Sequence, residues 1–595
     1  MNITWVPIFF LWSTSLQFFD HLARIRKGRL ELNLWNTRNK ANPMSPSLMN
    51  SDKNKRQLCD RKFHLVESLQ KSQIEQLKQL KRILGSDPLS KLTLSDEVLL
   101  WKYRVELIFN PKALAKFLLA DNWLQPYAVY EAHSLMERWA LPQPIAGLEL
   151  LDALYVDIKV REHAVKLLDN MSDYELKGCV LQLVQVLKHE PYHYAALSRC
   201  LLRRSLRSPR VIGHHIFLYL VSEMGNSSIC ERNGLLLEEL IRRMPERRGY
   251  LRQIYVTDLL FETYIRVKDA QRRNRVDCPR EHLKNLRLPS RFTLALHPSM
   301  ESSGLEIGKC NVMDPKKFPL WLVFRNYQRE EKPFYAIFKV GDDLRQDLLT
   351  LQLLELMNSL WKSCGLHLHI IPYGCVATGE GVGMIEVVLN SDTIAHITRK
   401  DGCAQAAFSE GPLMNWLRQF NRERQDVERC LWNFLYGVAG YTVAICVLVI
   451  VDRHNGNIML RQDGTLFHID FGHFLGNFKT KFGIKSETVP FIFTPMCAYM
   501  LGSQSGPIYL YLVYVASQAF NVVRRFSSTL MIHFLLMLST GVPELQKVED
   551  IEWLRNVLLI GRTDEEAKED YKNQISLAIA NIRTLFNDYI HIMIH

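Results

Sequence analysis

VDRHNGNIMLRQDGTLFHIDFGHF, residues 451–474, is the stretch on which the reading of this chain turns. It joins DRH-x-x-N to a DFG whose aspartate, Asp470, follows Asn457 by thirteen residues. Asn457 and Asp470 offer one neutral and one anionic oxygen, a donor pair suited to a hard cation. Asp452 and His454, just ahead of Asn457, supply a carboxylate to orient and an imidazole to accept a proton. Phosphoryl transfer asks for little covalent chemistry from a protein. It needs ions bridging the phosphates, a group that orients or deprotonates the attacking hydroxyl, and cations over the triphosphate. DFG alone arises by chance in many chains, whereas DRH-x-x-N ahead of it at this distance is specific. The apolar runs on either side, AICVLVIV (444–451) and LFHID (466–470), read as strands presenting the two loops together.

Working upstream, PLWLVF (319–324), PFYAIFKV (333–340) and GMIEVVL (383–389) read as strands of a β-rich lobe closing near residue 390. Lys339 ends one of them and projects a point charge. Gly379, Gly381 and Gly383 read as a hairpin turn, not as a phosphate cradle. WNFLYGVAGYTVAICVLVIV (432–451) is long enough to span a bilayer. Gly437, Gly440 and Tyr441 interrupt it and it runs into polar DRHNGN, so it reads as a buried helix feeding a buried strand. Downstream the pattern is mainly helical, apart from a polar island at 452–490 in which Lys479, Lys481 and Lys485 form a basic loop.

The region 63–268 reads as helical. Val160, Ala164, Val165, Leu167 and Leu168 make one apolar helix face, as do Val180, Leu181, Val184 and Leu187. Breaks at Glu190-Pro191 and Ser208-Pro209 suggest stacked helix pairs, with one irregular bundle as the alternative. A charged connector, DAQRRNRVDCPREHLKN (269–285), follows. At the N-terminus, Leu30, Leu32 and Leu34 alternate as in a strand, and residues 37–62 read as a linker. Met1–Phe19 is apolar but has no basic run before it and no small-residue cleavage site, so it reads as a truncated domain edge, with a signal peptide as the alternative.

At 595 residues the chain exceeds one hydrophobic core and must hold several domains. Its net charge of +12 favours anionic partners, and on charge alone nucleic acid, acidic lipid and phosphorylated substrates all qualify. Its 12 cysteines are scattered without a C-x-x-C pair, which points to reduced thiols of a cytosolic protein and away from disulfide or zinc frameworks.

DRHNGNIM, LFHIDFGHFLGNFKTKFGIK and VPF resemble the catalytic and activation loops of class I phosphoinositide 3-kinase catalytic subunits. IFKVGDDLRQDLLTLQ, PYGCVATGEGVGMIEVV and MDPKKFPLW resemble the family's ATP-lysine strand with its following helix, the strands into the hinge, and the phosphate-covering loop. LVQVLKHE and GLLLEEL resemble its helical domain, and FFDHLARIRKGRLELNLW the last strands of its C2 domain. The resemblance implies an α+β, two-lobed kinase domain after an α-helical, HEAT-like solenoid and a C2 β-sandwich remnant. Its implied boundaries are 1–36 for C2 strands, 37–62 linker, 63–268 helical domain, 269–285 connector, 286–388 N-lobe with hinge, and 389–595 C-lobe.

The resemblance also implies roles. Lys339 would contact the α-phosphate of ATP, with Asp347 and Tyr373 beside it; Lys316 and Lys317 would lie over the β- and γ-phosphates. Glu386 and Val388 would bind adenine through backbone groups, between apolar walls Met313, Trp321 and Ile469. Asn457 and Asp470 would hold Mg²⁺, or Mn²⁺ in its place; His454 would accept the inositol proton with Asp452 supporting it. Lys479, Lys481 and Lys485 would hold the lipid head group. The implied reaction is transfer of the ATP γ-phosphate to the 3-hydroxyl of phosphatidylinositol 4,5-bisphosphate, and of phosphatidylinositol and its 4-phosphate. Implied partners are an anionic membrane and an SH2-containing regulatory subunit, not nucleic acid. The implied location is the cytoplasm with peripheral recruitment to the plasma membrane. The alternatives are an impaired scaffold or a phosphoinositide kinase of another class.

The chain departs from the family pattern in places. Val449 and Val451 stand where glycines are usual, and a β-branched residue is strained if the backbone there needs positive φ. Pro315 replaces a phosphate-loop serine, Ser486 and Thr488 replace arginines, and the C-terminal LFNDYIHIMIH lacks tryptophan. Lys91 and Leu94 stand where many relatives carry acidic residues facing an inhibitory regulatory domain.

Overall fold

The computed structural model describes residues 71–272, 279–313, 317–328, 330–400, 411–451, 453–472, 480–481, 484–485, 495–502, 506–538 and 540–579. The expected C2 strands and linker, Lys316, Asp452, Lys479 and the last sixteen residues lie outside these. The chain divides into two compact units, one of residues 1–142 with 153–155 and one of 143–152 with 156–595.

In the first unit the described residues are helical. α1 (Lys71–Leu84) and α2 (Leu94–Lys102) pack together. α2 starts at Thr93, whose hydroxyl accepts the Asp96 N–H while the Asp96 carboxylate accepts the Thr93 N–H at 3.0 Å, so two orphan donors are satisfied reciprocally. Phe117 stacks between Trp101 and Trp139 with ring centroids 6.1 and 5.2 Å away.

The second unit begins with more helices. In α3 (Ile158–Asp169) all five residues of the expected apolar face are buried, and Asp157 caps the helix by accepting the Val160 N–H at 3.0 Å. Val180, Leu181, Val184 and Leu187 are buried as well. α4 (His214–Ser222) packs on the strand Cys375–Gly379 of the sheet described next, and α5 (Arg247–Arg272) runs four residues past the expected domain boundary into the connector.

The sheet has seven strands: β1 (Phe292–Thr293), β2 (Glu301–Leu305), β3 (Asn311–Val312), β4 (Leu320–Asn326), β5 (Phe334–Val340), β6 (Cys375–Gly379) and β7 (Val382–Glu386). Its order is β1-β2-β4-β5-β7-β6, with β3 also on β4, and every pairing is antiparallel. The expected glycine turn is the β6–β7 hairpin, with Gly381 at φ +61. α6 (Arg345–Ser363) intervenes between β5 and β6.

Beyond the hinge come β8 (Ser391–Thr393), α7 (Arg424–Leu448), β9 (Ile458–Arg461), β10 (Leu466–His468), α8 (Pro507–Arg525) and α9 (Asp564–Ile579). α7 corrects the sequence reading. AICVLVIV is not a strand: it is the last turns of this helix as far as Leu448, followed by an irregular exit. Its β-branched residues favour strands locally, but with no breaker ahead of them the helix continues, and burial on all sides repays it. The helix passes a length and apolarity test for crossing a membrane, yet 78% of its most apolar window is buried in the protein. Gly437 does not interrupt it. A Cβ there would stand 2.9 Å from the Leu466 carbonyl, so glycine lets α7 approach β10 closely.

α7 ends on Val449 at φ 42, ψ 56, where glycine is the usual residue. The Ile450 N–H reaches back to the Ile445 carbonyl at 3.2 Å and closes the last turn. Of the two doubted valines, then, Val449 sits in the left-handed region and Val451 does not. Glycine at an ordinary helical site is about 1 kcal/mol worse than alanine. At 449 we expect the reverse: Val449→Gly more stable than Val449→Ala by about 1 kcal/mol, because alanine keeps the left-handed penalty. Melting curves of the two variants check this, and equal or inverted stabilities would contradict the strain.

Candidate nucleotide and phosphotransfer site

One face of the sheet forms the roof of a cleft. Register places Trp321, Ile337, Ile385 and Cys375 in one row across β4, β5, β7 and β6. The row beyond carries Lys339 opposite Gly383, where a Cβ would stand 2.3 Å from the Val376 carbonyl. Trp321 meets Tyr335 edge-on at 6.2 Å. Met313 is 51% exposed at the end of β3, where its N–H donates to the Pro319 carbonyl at 3.0 Å.

Behind Lys339 lies the first turn of α6. The Asp347 carboxylate accepts the Phe471 N–H at 3.0 Å, so the DFG segment is tied to this helix. Burial raises the Asp347 pKa above the ordinary carboxylate value; the Asp470 carboxylate adds to the rise, while the Phe471 N–H and Lys339 oppose it. Burial, then Asp347, likewise holds the Tyr373 hydroxyl well above its usual value, so it is a donor in this corner. The Tyr373 ring stacks on Phe471 at 6.3 Å.

The sign for Asp347 follows from the raised folded-state value. Its contribution to stability is complete below the unfolded value of 3.8 and is lost as pH rises through the raised one. Asp347→Asn keeps an oxygen for the Phe471 N–H and removes the buried charge. It should raise the melting temperature at neutral pH, the gain fading below about pH 4. A gain that is the same at both pH values would refute the assignment.

The floor is the β9–β10 hairpin with the segments flanking it. β9 pairs with β10 and with β8, and this register sets Ile458 opposite His468. The Ile469 N–H donates to the Asn457 carbonyl at 3.0 Å, so Asn457 and Asp470 are brought alongside each other. The Asn457 side-chain oxygen accepts the His454 N–H at 3.0 Å and shapes the loop. His454 Nδ1 accepts the Gly456 N–H at 3.1 Å, and a neutral ring accepting there carries its proton on Nε2. Asp470 has φ 60, a left-handed conformation that Asp tolerates better than most residues.

Arg453 is a functional residue that the sequence reading passed over. It is 7% exposed, and its guanidinium donates to the carbonyls of Val451 at 3.3 Å and Ile469 at 2.8 Å and to that of Asp470. It thereby fastens DRH to DFG; its only sequence signal was its place between Asp452 and His454. Ile337 and Ile385 were also missed, although Ile337 lies two residues before Lys339 and period-two alternation puts both on one face. Asp342 was missed too. Its carboxylate stands 2.9 Å from Lys317 Nζ and 4.0 Å from Lys339 Nζ.

At the hinge, the Glu386 N–H is committed to the Gly374 carbonyl at 2.7 Å, so a base contact there falls to the Glu386 carbonyl. Its carboxylate accepts the Gly374 N–H at 2.7 Å and faces His297 at 3.6 Å. The Val388 carbonyl accepts the Ser391 hydroxyl at 2.7 Å. A cavity of about 360 Å³ borders the hinge at Tyr373, Glu386, Val387 and Val388. Trp321, Lys339 and Ile469 lie outside its lining, so it adjoins the cleft without being the cleft. The basic loop is represented by a two-stranded ribbon, β11 (Thr480–Lys481) with β12 (Ile484–Lys485), in which Lys481 and Lys485 occupy successive rungs.

A seven-stranded antiparallel roof, a lysine on its inner strand β5, and a floor that brings an asparagine alongside a DFG aspartate have the layout of a kinase-type cleft behind a helical region. Comparison with known proteins makes the class specific. The family "Phosphoinositide 3-kinase family, accessory domain (PIK domain)" matches residues 67–251, and "Phosphatidylinositol 3- and 4-kinase" matches residues 333–547. The chain is 44% identical over 525 residues to phosphatidylinositol 3-kinase 2 of Dictyostelium discoideum, which covers 88% of this chain and 28% of that protein. It is 43% identical over 516 residues to phosphatidylinositol 3-kinase 1 of the same organism, covering 86% and 33%, and 40% identical over 526 residues to phosphatidylinositol 3-kinase 3, covering 88% and 31%. The chain thus spans about a third of the length of the curated relatives it matches. Over these two segments it is similar to the accessory and kinase domains of the phosphoinositide 3-kinases.

Proposed function

We propose that this chain transfers the γ-phosphate of ATP to the 3-hydroxyl of an inositol lipid at an anionic membrane, with phosphatidylinositol 4,5-bisphosphate as preferred acceptor. The observation that supports this most is the bond from the Ile469 N–H to the Asn457 carbonyl, with Arg453 on Ile469 and Asp470: it brings the two oxygen donors together, and Asp347 feels the charges of both Asp470 and Lys339. Asn457 and Asp470 are hard oxygen donors and fit Mg²⁺, which when bound neutralises charge developing on the phosphates. Lys339 and Lys317 grip the triphosphate, and Trp321, Ile337, Ile385 and Ile469 enclose the base. His454 accepts the inositol proton on Nδ1, the ring nitrogen whose lone pair otherwise meets the Gly456 N–H, and becomes imidazolium; Asp452 supports it. Lys479, Lys481 and Lys485 neutralise head-group phosphates, each cation near an anionic surface contributing about 1 kcal/mol. This fits a cytoplasmic protein recruited peripherally to the plasma membrane, with an SH2-containing regulatory subunit as a further partner.

Left-handed Val449 favours a second reading, a nucleotide-binding scaffold with little turnover. Radiolabelled phosphate transfer to vesicles containing phosphatidylinositol, its 4-phosphate or its 4,5-bisphosphate separates the readings. Product from the bisphosphate above the other two supports the proposal. Nucleotide binding with no lipid product supports the scaffold, and equal product from all three removes the acceptor preference.

A further inference from the structure

The two lysines assigned to the triphosphate already share an anion of the protein's own at the mouth of the cleft, where Lys317 is largely exposed. Asp342, in the turn after β5, sets Oδ1 2.9 Å from Lys317 Nζ and Oδ2 4.0 Å from Lys339 Nζ. Its carboxylate therefore faces, from one loop, two cations of different origin, Lys339 on β5 and Lys317 in the turn between β3 and β4. The Lys317 end of this arrangement is anchored from helix α5. Tyr264 on α5, 2% exposed, donates its hydroxyl to the Lys317 carbonyl at 3.2 Å. α5 is held along the sheet by further contacts, among them Gln253 to the Thr293 hydroxyl at 2.8 Å. With its backbone fastened there, Lys317 has a restricted reach, and Asp342 lies within it.

We propose that Asp342 is an internal stand-in for nucleotide phosphate: it holds Lys317 and Lys339 together in the ligand-free cleft and competes with a polyphosphate for them. The inference rests on the kinase reading for the identity of the ligand, but its geometry concerns only the lysines and an anion. Two carboxylate oxygens and a phosphate chain present the same hydrogen-bond acceptors to ammonium groups, and both cannot occupy the space between them. Carboxylate and polyphosphate also repel, so removing the carboxylate charge should help binding on both counts.

The neighbouring Asp343 supplies a matched control. Its carboxylate is engaged by Arg345, with N–O distances of 2.7 to 3.1 Å, and not by either lysine. Asp342→Asn and Asp343→Asn thus remove the same charge one residue apart. Titration calorimetry of the full chain would use ATP without metal and, separately, inorganic tripolyphosphate. Asp342→Asn should bind both about three- to fivefold more tightly than the unaltered chain. Asp343→Asn should change affinity much less. Equal or weaker binding by Asp342→Asn, or the same gain in both variants, overturns the proposal. Tripolyphosphate binding that tightens while ATP does not bind at all upholds the lysine–carboxylate competition and counts against the kinase reading instead.

Discussion

Asp470→Asn is expected to leave the chain folded and to lower lipid phosphorylation by about a thousandfold or more. The backbone at Asp470 has φ 60, and asparagine is, with aspartate, the residue that accepts this region most readily apart from glycine. The substitution is therefore nearly silent for the fold: it adds no strain, and the Phe471 N–H remains on Asp347. What it removes is the anionic oxygen of the Asn457–Asp470 pair. Loss of a cation's stabilisation of transition-state charge costs several kcal/mol, which at about 1.4 kcal/mol per decade gives the stated factor. Turnover on phosphoinositide vesicles and the melting temperature should be measured together. Retained turnover at an unchanged melting temperature would remove Asp470 from the reaction.

Arg453→Met should release the DFG segment. The arginine is buried and its fork donates to three carbonyls, that of buried Val451 and those of the partly buried Ile469–Asp470 segment. Leaving a buried acceptor unpaired costs about 1–3 kcal/mol, so the local loss should be about 3 kcal/mol or more. Because a chain of this size does not unfold in one step, a global unfolding energy is the wrong readout. Hydrogen exchange of the amides in 466–471 is the right one, and it should quicken by about a hundredfold or more while exchange in α1 and α2 stays the same. Arg453→Lys should rescue little, since one ammonium cannot span the Ile469 and Asp470 carbonyls as a planar fork does. Unchanged exchange in this hairpin would show that the fastening lies elsewhere.

Much of the cleft was legible from residue order. Asn457 and Asp470 were named from their spacing, and the hydrogen bond from Ile469 to Asn457 brings them alongside each other. Lys339 was read as a strand-end cation and lies within β5, opposite Gly383. The apolar stripes of the helical region are buried as their 3.6-residue period requires. Where local propensity and tertiary packing disagreed, the reading failed. AICVLVIV has the composition of a strand, but it continues a helix whose burial inside the C-lobe outweighs the preference of valine and isoleucine.

Sequence by itself determined which chemical groups are present and the periods on which they repeat, because donor chemistry and side-chain alternation are properties of neighbouring residues. It therefore sufficed to name the oxygen donors Asn457 and Asp470 and the strand that carries Lys339. Only the tertiary structure decided which distant groups meet: Arg453 on the DFG carbonyls, Asp347 on Phe471 across 124 residues of chain, Tyr264 beneath Lys317, and Asp342 between two lysines. It also decided that Val449, and not Val451, takes the left-handed backbone. These depend on how α5, α6 and the β9–β10 hairpin are laid against one sheet, and packing of that kind is a sum over many weak contacts that no local pattern encodes.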